Sequence, residues 1–213
     1  FYLYVVLDIF SRYVVGWLIA EQESAELGGY LVTESCQKQQ IQREQLTLHA
    51  DRGSPMTAKS MTELLKDLKV EPSHSRPHTP NDNPFSEAQF KTMKYRPGYP
   101  ARFGSLPEAQ NWARFFFTWY NHDHRHSGLA LMTPATVHHG LATQVIDRRQ
   151  QVLEAAYLQH PERFVKGAPI PHPLPTAVWI NPPSVHVEQG GHRDFANPSD
   201  KGTSDRSAGA VKG

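Results

Sequence analysis

Two acidic residues, Asp51 and Glu87, are the best candidates for chemistry in this chain of 213 residues. Asp51 follows residues 46–50, whose alternating side chains predict a strand, and ligands of α/β sheets bind at the carboxyl ends of strands. Glu87 lies in the first turn of a predicted helix, after a loop at residues 76–84 that is rich in Pro and Asn. Taken singly, Asp51 also fits a turn or cap, and Glu87 fits a partner of the helix dipole.

Taken together, the two carboxylates point to a metal site. Two carboxylates brought to ~4 Å repel each other by roughly 1 kcal/mol in water and ~4 kcal/mol at an effective dielectric constant of 20. A cation would offset this repulsion, and hard oxygen ligands beside substrate phosphates favour Mg²⁺ or Mn²⁺. Two such ions can hold the attacking and leaving oxygens of a phosphoryl displacement. Asp51 and Glu87 are therefore candidates for catalytic residues and metal ligands, the roles that the resemblance described below implies for them.

Basic residues follow these carboxylates. Lys91 and Lys94 come four and seven positions after Glu87, on the same face of the predicted helix. Residues 88–126 contain six basic residues and two acidic ones. We predict that Arg52, Lys91, Lys94 and Arg96 bind a phosphate backbone. The alternative is a solvated helix face without a nucleic-acid partner.

Composition excludes several classes of protein. The 22 basic and 21 acidic residues leave a net charge of +1, and the one cysteine excludes an intramolecular disulfide framework. No stretch approaches the roughly 18 apolar residues that a membrane span needs. We expect a soluble, cytoplasmic protein without a membrane partner. The chain opens at Phe1 in the middle of a strand-like run, so we expect a fragment whose upstream part is missing.

The elements that must position the carboxylates alternate between strand and helix. We predict a β-hairpin from residues 2–8 and 13–20, buried on both faces, and a helix from Ser24 to about residue 39 with Cys36 in the core. Strands at 46–50 and 70–75 enclose a helix at 58–69, and a helix at 85–95 follows. Ser105 caps the next helix, whose aromatic stripe predicts core packing. The last helix runs from Thr133 to about residue 155. This order predicts a mixed α/β architecture.

We divide the chain into three parts. Residues 1–140 form the predicted catalytic core, and residues 141–188 a C-terminal helix and a Pro-rich extension. Residues 189–213 have almost no apolar side chains and are predicted to be disordered. Residues 177–180 are the last segment with strand character.

Four sets of residues resemble the DDE transposases of bacterial insertion sequences, which have a retroviral-integrase-like catalytic core. HADRGS at 49–54 and DNPFSE at 82–87 resemble the second and third acidic motifs, with 35 residues between Asp51 and Glu87. LDIFSR at 7–12 with VGW at 15–17 resembles the second and third strands. Tyr120, Asn121, Arg125, His126, Leu129 and the Thr133–Pro134 pair resemble the C-terminal signature. The resemblance covers about residues 1–140.

This resemblance implies a ribonuclease H-like mixed sheet flanked by helices, and a cut-and-join reaction on transposon ends and target DNA with two divalent ions. The first catalytic Asp of the family lies on a central strand that would precede Phe1, so we expect that strand to be missing here. The setting of Asp8 matches a non-catalytic Asp of the family. Joining two DNA ends generally needs more than one subunit, so a homo-oligomer is among the expected partners.

We therefore predict a transposase or integrase catalytic core for DNA transposition, inactive as this fragment. Three alternatives stay open at this point. The chain could be a catalytically dead remnant that still binds DNA, or a nuclease of the same fold that cuts without joining. It could also be a protein-interaction module that uses the Pro-rich segment at residues 169–183.

Overall fold

The computed structural model describes residues 1–76, 79 and 82–180, in which strands and helices follow the predicted order. The elements are β1 (Tyr2–Leu7), β2 (Val14–Ala20), α1 (Ala25–Lys38), β3 (Thr47–Ala50), α2 (Ser54–Thr57), α3 (Lys59–Leu68), β4 (Glu71–His74), α4 (Pro84–Lys94), α5 (Leu106–His122), α6 (Pro134–His138) and α7 (Ala142–Gln159), with single 3-10 turns at Ser127–Leu129 and Pro161–Arg163. The α/β class is confirmed.

The strands pair as two two-stranded sheets in the described part of the chain. β1 and β2 form the predicted antiparallel hairpin, with Tyr2 opposite Ala20 and a bulge between Val6 and Leu7. β3 and β4 are parallel, with Ala50 opposite His74. Both kinds of pairing expected of a mixed sheet are therefore present, in two small, separate sheets. Burial of the hairpin on both faces is wrong, because most of its residues are half-buried.

Helices cover the hairpin and enclose the core. α5 packs against β2, and α1 packs against β1, β2 and α3. The first core cluster joins the hairpin to α4 and α5 and consists of Val14, Met93, Ala113, Phe116, Phe117 and Tyr120. Full burial of an aromatic side chain such as Phe116 stabilises the fold by about 1.5–3 kcal/mol. This cluster therefore holds the helix that carries Glu87 against the hairpin.

Two further clusters hold the remaining helices. Val32, Met61, Leu65 and Val70 form the cluster beneath α1 and α3. Cys36 packs at the edge of this cluster and is half-buried, so the prediction that it lies fully in the core is wrong. Partial burial raises the pKa of its thiol. The third cluster consists of Leu129, Ala130, Met132, Val137 and Ala142.

Helix capping follows the predictions at both serines. The Ser24 hydroxyl accepts from the backbone N–H of Leu27 at 3.2 Å, and the Ser105 hydroxyl accepts from that of Glu108 at 3.3 Å. The stripe on α5 is less uniform than predicted. Of the aromatic residues that form this stripe (Trp112, Phe115, Phe116, Trp119 and Tyr120), Phe116 and Tyr120 are buried as predicted, but Phe115 is 77% exposed.

The helix predicted from Thr133 to residue 155 is two helices, α6 and α7. Gly140 separates them with a φ of 71°, a left-handed backbone that ends α6. Beyond α7, residues 164–180 form neither helix nor strand, so the strand character expected at residues 177–180 is wrong. Leu174 packs against the third cluster. The predicted disordered tail at residues 189–213 lies outside the described residues.

None of the helices in the described part of the chain is both long enough and apolar enough to cross a membrane.

Candidate functional site

Asp51 lies directly after β3, where the parallel pair of β3 and β4 ends. The register that sets Ala50 opposite His74 makes Asp51 and Ser75 neighbours at this edge. The Ser75 hydroxyl donates to Asp51 Oδ1 at 2.7 Å, and His49 Nε2 lies 3.3 Å from the same hydroxyl oxygen. Ser75 therefore holds one oxygen of an otherwise exposed carboxylate. Sequence reasoning missed Ser75, although the parallel pairing of the two strands could have indicated it.

Arg52 lies at the same edge of the sheet as Asp51. Its Nε donates to the backbone carbonyl of Ser75 at 3.1 Å, so the guanidinium lies beside the turn that holds Asp51. The side chain is exposed. The structure therefore brings the predicted basic residue and the predicted metal ligand to one edge of the sheet.

An ion pair between the exposed Arg76 and the buried Asp82 connects this edge to α4. Arg76 follows Ser75 directly, and its Nε and Nη2 donate to the two oxygens of Asp82 at 2.9 and 2.8 Å. The backbone N–H of Arg76 also donates to Asp82 at 2.8 Å. Asp82 is buried, and it comes two residues before α4 begins. This ion pair therefore ties Arg76, next to the Asp51 edge, to Asp82, next to the helix that carries Glu87.

Glu87 is exposed in the first turn of α4. Its backbone N–H donates to the carbonyl of Asn83 at 3.2 Å. Lys91 and Lys94 are also exposed, one and two turns further along the helix. The structure thus confirms the helix and presents one acidic and two basic side chains to solvent from it.

Arg96 differs from the other predicted phosphate contacts. Its guanidinium carbon lies 3.4 Å from the centroid of the Trp119 ring, so it stacks on α5. Burial lowers the pKa of the neighbouring His124, and the positive charge of Arg96 lowers it further. Arg96 therefore packs within the fold on one face while it contributes positive charge to the surface beside α4.

Asp8, the carboxylate on the turn after β1, is part of a separate polar cluster. It accepts hydrogen bonds from the Ser11 hydroxyl and from the backbone N–H of Phe10, the latter at 2.9 Å. His138 Nδ1 lies 3.1 Å from its Oδ2, and Tyr13 stacks on the His138 ring at 4.3 Å. Burial tends to raise the pKa of Asp8, but the bonds from His138, Ser11 and Phe10 outweigh it, and the pKa lies below its ordinary value.

The carboxylate oxygens of Asp51 and Glu87 are suitable ligands for a hard divalent ion. Asp51 Oδ2 has no partner among the described residues, and the Glu87 carboxylate is exposed. Carboxylate oxygens of this kind are ligands for Mg²⁺ or Mn²⁺, which are commonly bound by one or two carboxylates together with substrate phosphates. In the described part of the chain, no three acidic, histidine or cysteine side chains cluster closely enough to form a complete ligand set. Asp51 and Glu87 could thus supply part of a coordination sphere.

Comparison with known proteins identifies the family. The profile of the integrase core domain matches residues 1–80, and a second integrase core domain profile matches residues 68–134. The transposase for insertion sequence element IS904 of Lactococcus lactis is 33% identical over 134 residues, which are 62% of this chain and 53% of that protein. The present chain thus spans about half the length of that relative.

A second relative is covered more fully. An uncharacterized protein of insertion element IS136 from Agrobacterium fabrum is 30% identical over 139 residues, which are 61% of this chain and 69% of that protein. Among solved structures, a chain of the simian T-cell lymphotropic virus intasome in complex with PP2A regulatory subunit B56 gamma aligns with a TM-score of 0.51. The alignment covers 65% of this chain and 48% of that one at 16% identity, and it shows a shared fold. This chain therefore belongs to the integrase core domain family and has the core of an insertion-sequence transposase.

Proposed function

We propose that this chain is the catalytic core of a transposase that hydrolyses phosphodiester bonds of DNA and transfers the resulting strands in a metal-dependent reaction. One observation carries the proposal. The Ser75 hydroxyl binds Asp51 at the end of β3, and Arg76, the residue after Ser75, is paired with Asp82, two residues before the helix that presents Glu87. Membership in the integrase core domain family supports the same assignment.

Each carboxylate has a defined part in this proposal. Ser75 fixes the Asp51 side chain by binding Oδ1, which leaves Oδ2 for a metal ion. Glu87 is the second ligand of the chain, on the first turn of α4. Divalent ions held there would stabilise the charge on the attacking and leaving oxygens of a phosphodiester.

The basic residues would hold the DNA backbone. Lys91 and Lys94 are exposed along α4, and Arg52 is exposed beside Asp51. Arg96 adds positive charge from the end of α4 while it is stacked on Trp119. Phosphates bound by these four residues would lie along the exposed side of α4, next to the proposed metal ligands.

Substitution of the two carboxylates tests the catalytic part of the proposal. The natural protein that contains this sequence should nick supercoiled plasmid DNA in Mn²⁺, and Asp51→Asn and Glu87→Gln should each lower the rate by at least about 100-fold, since loss of an outer-shell partner alone typically costs about 10- to 100-fold. Asp67→Asn and Glu71→Gln are matched controls, because both side chains are exposed and neither is a proposed metal ligand or DNA contact. Full activity in either site variant would overturn the assignment. DNA binding without nicking in the wild-type protein would favour the catalytically dead remnant.

The salt dependence of binding tests the DNA contacts. If the four basic residues each neutralise one phosphate, the logarithm of the affinity for duplex DNA should fall with the logarithm of salt concentration at a slope on the order of −4. Lys91→Gln with Lys94→Gln should make this slope shallower by about 2. The matched control is Lys59→Gln with Lys66→Gln on α3, which should leave the slope unchanged. A slope near zero in the wild-type protein would contradict the proposed interface.

Cleavage products separate the nuclease alternative from transposition. A transposase core should also join a DNA 3′-hydroxyl to a target strand, whereas a nuclease yields cut products only.

Two ends must be joined, so we also propose that the active form is a homo-oligomer that binds transposon ends and target DNA. Sedimentation of the protein with and without DNA measures its assembly.

A further inference from the structure

Arg12 lies in the turn between β1 and β2 but reaches the first turn of α4. The carbon at the centre of its guanidinium is 3.9 Å from the centroid of the Phe85 ring. Phe85 is the second residue of α4 and comes two positions before Glu87. A cation from the hairpin turn thus contacts the helix turn that presents the proposed metal ligand.

The backbone of this turn is held in an infrequent conformation. Arg12 has a φ of 62°, in the left-handed region that residues other than glycine adopt in only a few per cent of cases. Asp8 binds the Ser11 hydroxyl, and that oxygen accepts from the backbone N–H of Tyr13 at 3.2 Å. These bonds hold the residues on both sides of Arg12. The conformation that aims its side chain at α4 is therefore maintained by the hairpin turn itself.

The guanidinium is also restrained at its other side. Nη1 donates to the backbone carbonyl of Ile9, within the same turn. Arg12 stays charged under all ordinary conditions, although burial lowers its pKa from the ordinary value and the negative charge of Asp8 opposes that effect. Cation–π contacts are stronger when the cation is desolvated. The partly buried contact with Phe85 is thus stronger than an equivalent surface contact.

The first turn of α4 has few other anchors. Phe90 and Met93 pack into the first core cluster, but they lie in the middle and at the end of the helix. Asn83 at the N-terminal cap makes no side-chain capping bond to the described residues. Glu87 is exposed. Asp82, two residues before the helix, is tied to Arg76, and the contact between Arg12 and Phe85 restrains the first turn itself.

We propose that Arg12 is a positioning residue for Glu87. By stacking on Phe85 it fixes the first turn of α4 and thereby the place of the Glu87 carboxylate relative to Asp51. The catalytic consequence rests on the proposed function, whereas the mechanical restraint on α4 does not. A planar guanidinium is required, because a lysine ammonium is a point charge that neither stacks on the ring nor keeps the same bond to Ile9.

Hydrogen exchange tests the restraint without any catalytic readout. In Arg12→Met, amides of the peptide spanning residues 84–90 should exchange about 3- to 30-fold faster than in the wild-type chain. Exchange in α3 should stay unchanged. Arg43→Met is the matched control, because Arg43 is an exposed loop arginine that makes no hydrogen bond or ion pair within the described residues. Equal exchange at residues 84–90 in the two variants would overturn the proposal.

Phe85→Leu tests the same contact from its other side. Leucine keeps the apolar volume but removes the aromatic face, so the effect on exchange at residues 84–90 should match that of Arg12→Met. If Arg12→Met lowers the global stability of the chain, Phe85→Leu decides the question alone. Wild-type exchange in the Phe85→Leu variant would refute the restraint.

Kinetics then test the positioning role. In the nicking assay, Arg12→Lys and Phe85→Leu should lower kcat by on the order of 10- to 100-fold, since small misplacements of catalytic groups are costly. KM for DNA should change by less than about twofold. A change in KM with kcat unchanged would refute the positioning role. If the wild-type protein does not nick DNA, the proposed function fails, and hydrogen exchange still decides whether Arg12 restrains α4.

Discussion

Asn121 offers the sharpest test of how α5 is joined to the hairpin. Its side chain is buried at the end of α5 and binds both backbone groups of Val14, the first residue of β2. Oδ1 accepts from the Val14 N–H at 2.9 Å, and Nδ2 donates to the Val14 carbonyl at 3.0 Å. Asn121→Ala removes both partners at once.

The size of the effect follows from the burial of these groups. A buried donor or acceptor left without a partner costs about 1–3 kcal/mol. Asn121→Ala leaves two such groups, the N–H and the carbonyl of Val14, without a partner. Relaxation of the structure or entry of water recovers part of the lost free energy, so we expect a destabilisation of about 2–4 kcal/mol. This is a large fraction of the roughly 5–15 kcal/mol that stabilises a typical domain.

Urea denaturation followed by circular dichroism measures this change in the free energy of unfolding. The matched control is Asn111→Ala on the same helix, because Asn111 is exposed and has one bond with Arg114, at 3.3 Å. The control should stay within about 0.5 kcal/mol of the wild-type chain. A loss below about 1 kcal/mol for Asn121→Ala would show that the hairpin does not depend on this double bond.

Three further predictions concern stability. Gly16→Ala should destabilise the chain by about 1–3 kcal/mol, because the new Cβ would clash with Ser35 Oγ. Adding Ser35→Ala to this variant should restore at least half of the lost free energy of unfolding, as measured by urea denaturation. Burial, with neighbouring positive charges, lowers the pKa of His126 to about 4, so only the unfolded state takes up this proton as the pH falls from about 6.5. Stability should therefore decrease from pH 6.5 toward pH 4, by roughly 1–2 kcal/mol after allowance for partial exposure, and His126→Phe should flatten this slope. Ser24→Ala should cost about 1 kcal/mol in thermal or urea unfolding, because it removes the cap of α1.

Local patterns were sufficient to predict the elements around the site. The hairpin follows from two β-rich runs with a short connector, and Ser24 and Ser105 act as the caps that their sequence positions predict. Asp51 lies at the end of a strand and Glu87 in the first turn of a helix, as expected. These features depend on neighbours within a few residues, which the sequence displays directly.

Features that depend on partners distant in the chain could not be predicted in the same way. Ser75 contacts Asp51 only because the register of β3 and β4 makes them neighbours. The stacking of Arg96, a predicted phosphate contact, on Trp119 joins two separate helical segments and is not visible in the local sequence pattern. Gly140 is a different case, because a glycine that adopts a left-handed backbone just past a helix end is a local signal, and the predicted helix from Thr133 to residue 155 ran through it.

Buried polar side chains and exposed charged side chains have different tasks in this molecule. Asp8 and Asp82 are each bound by a backbone N–H and by side chains, and Asn121 is bound by both backbone groups of Val14, so removal of any of them would disturb the path of the chain. Asp51 and Glu87 are exposed and keep oxygens free for a ligand. A carboxylate that is already satisfied within the protein gains little from a metal ion, whereas an exposed carboxylate held by a rigid backbone can bind one with a small entropic cost. Asp8 therefore belongs with the residues that hold the fold together, whereas Asp51 and Glu87 are the carboxylates to which we assign metal binding in the proposed function.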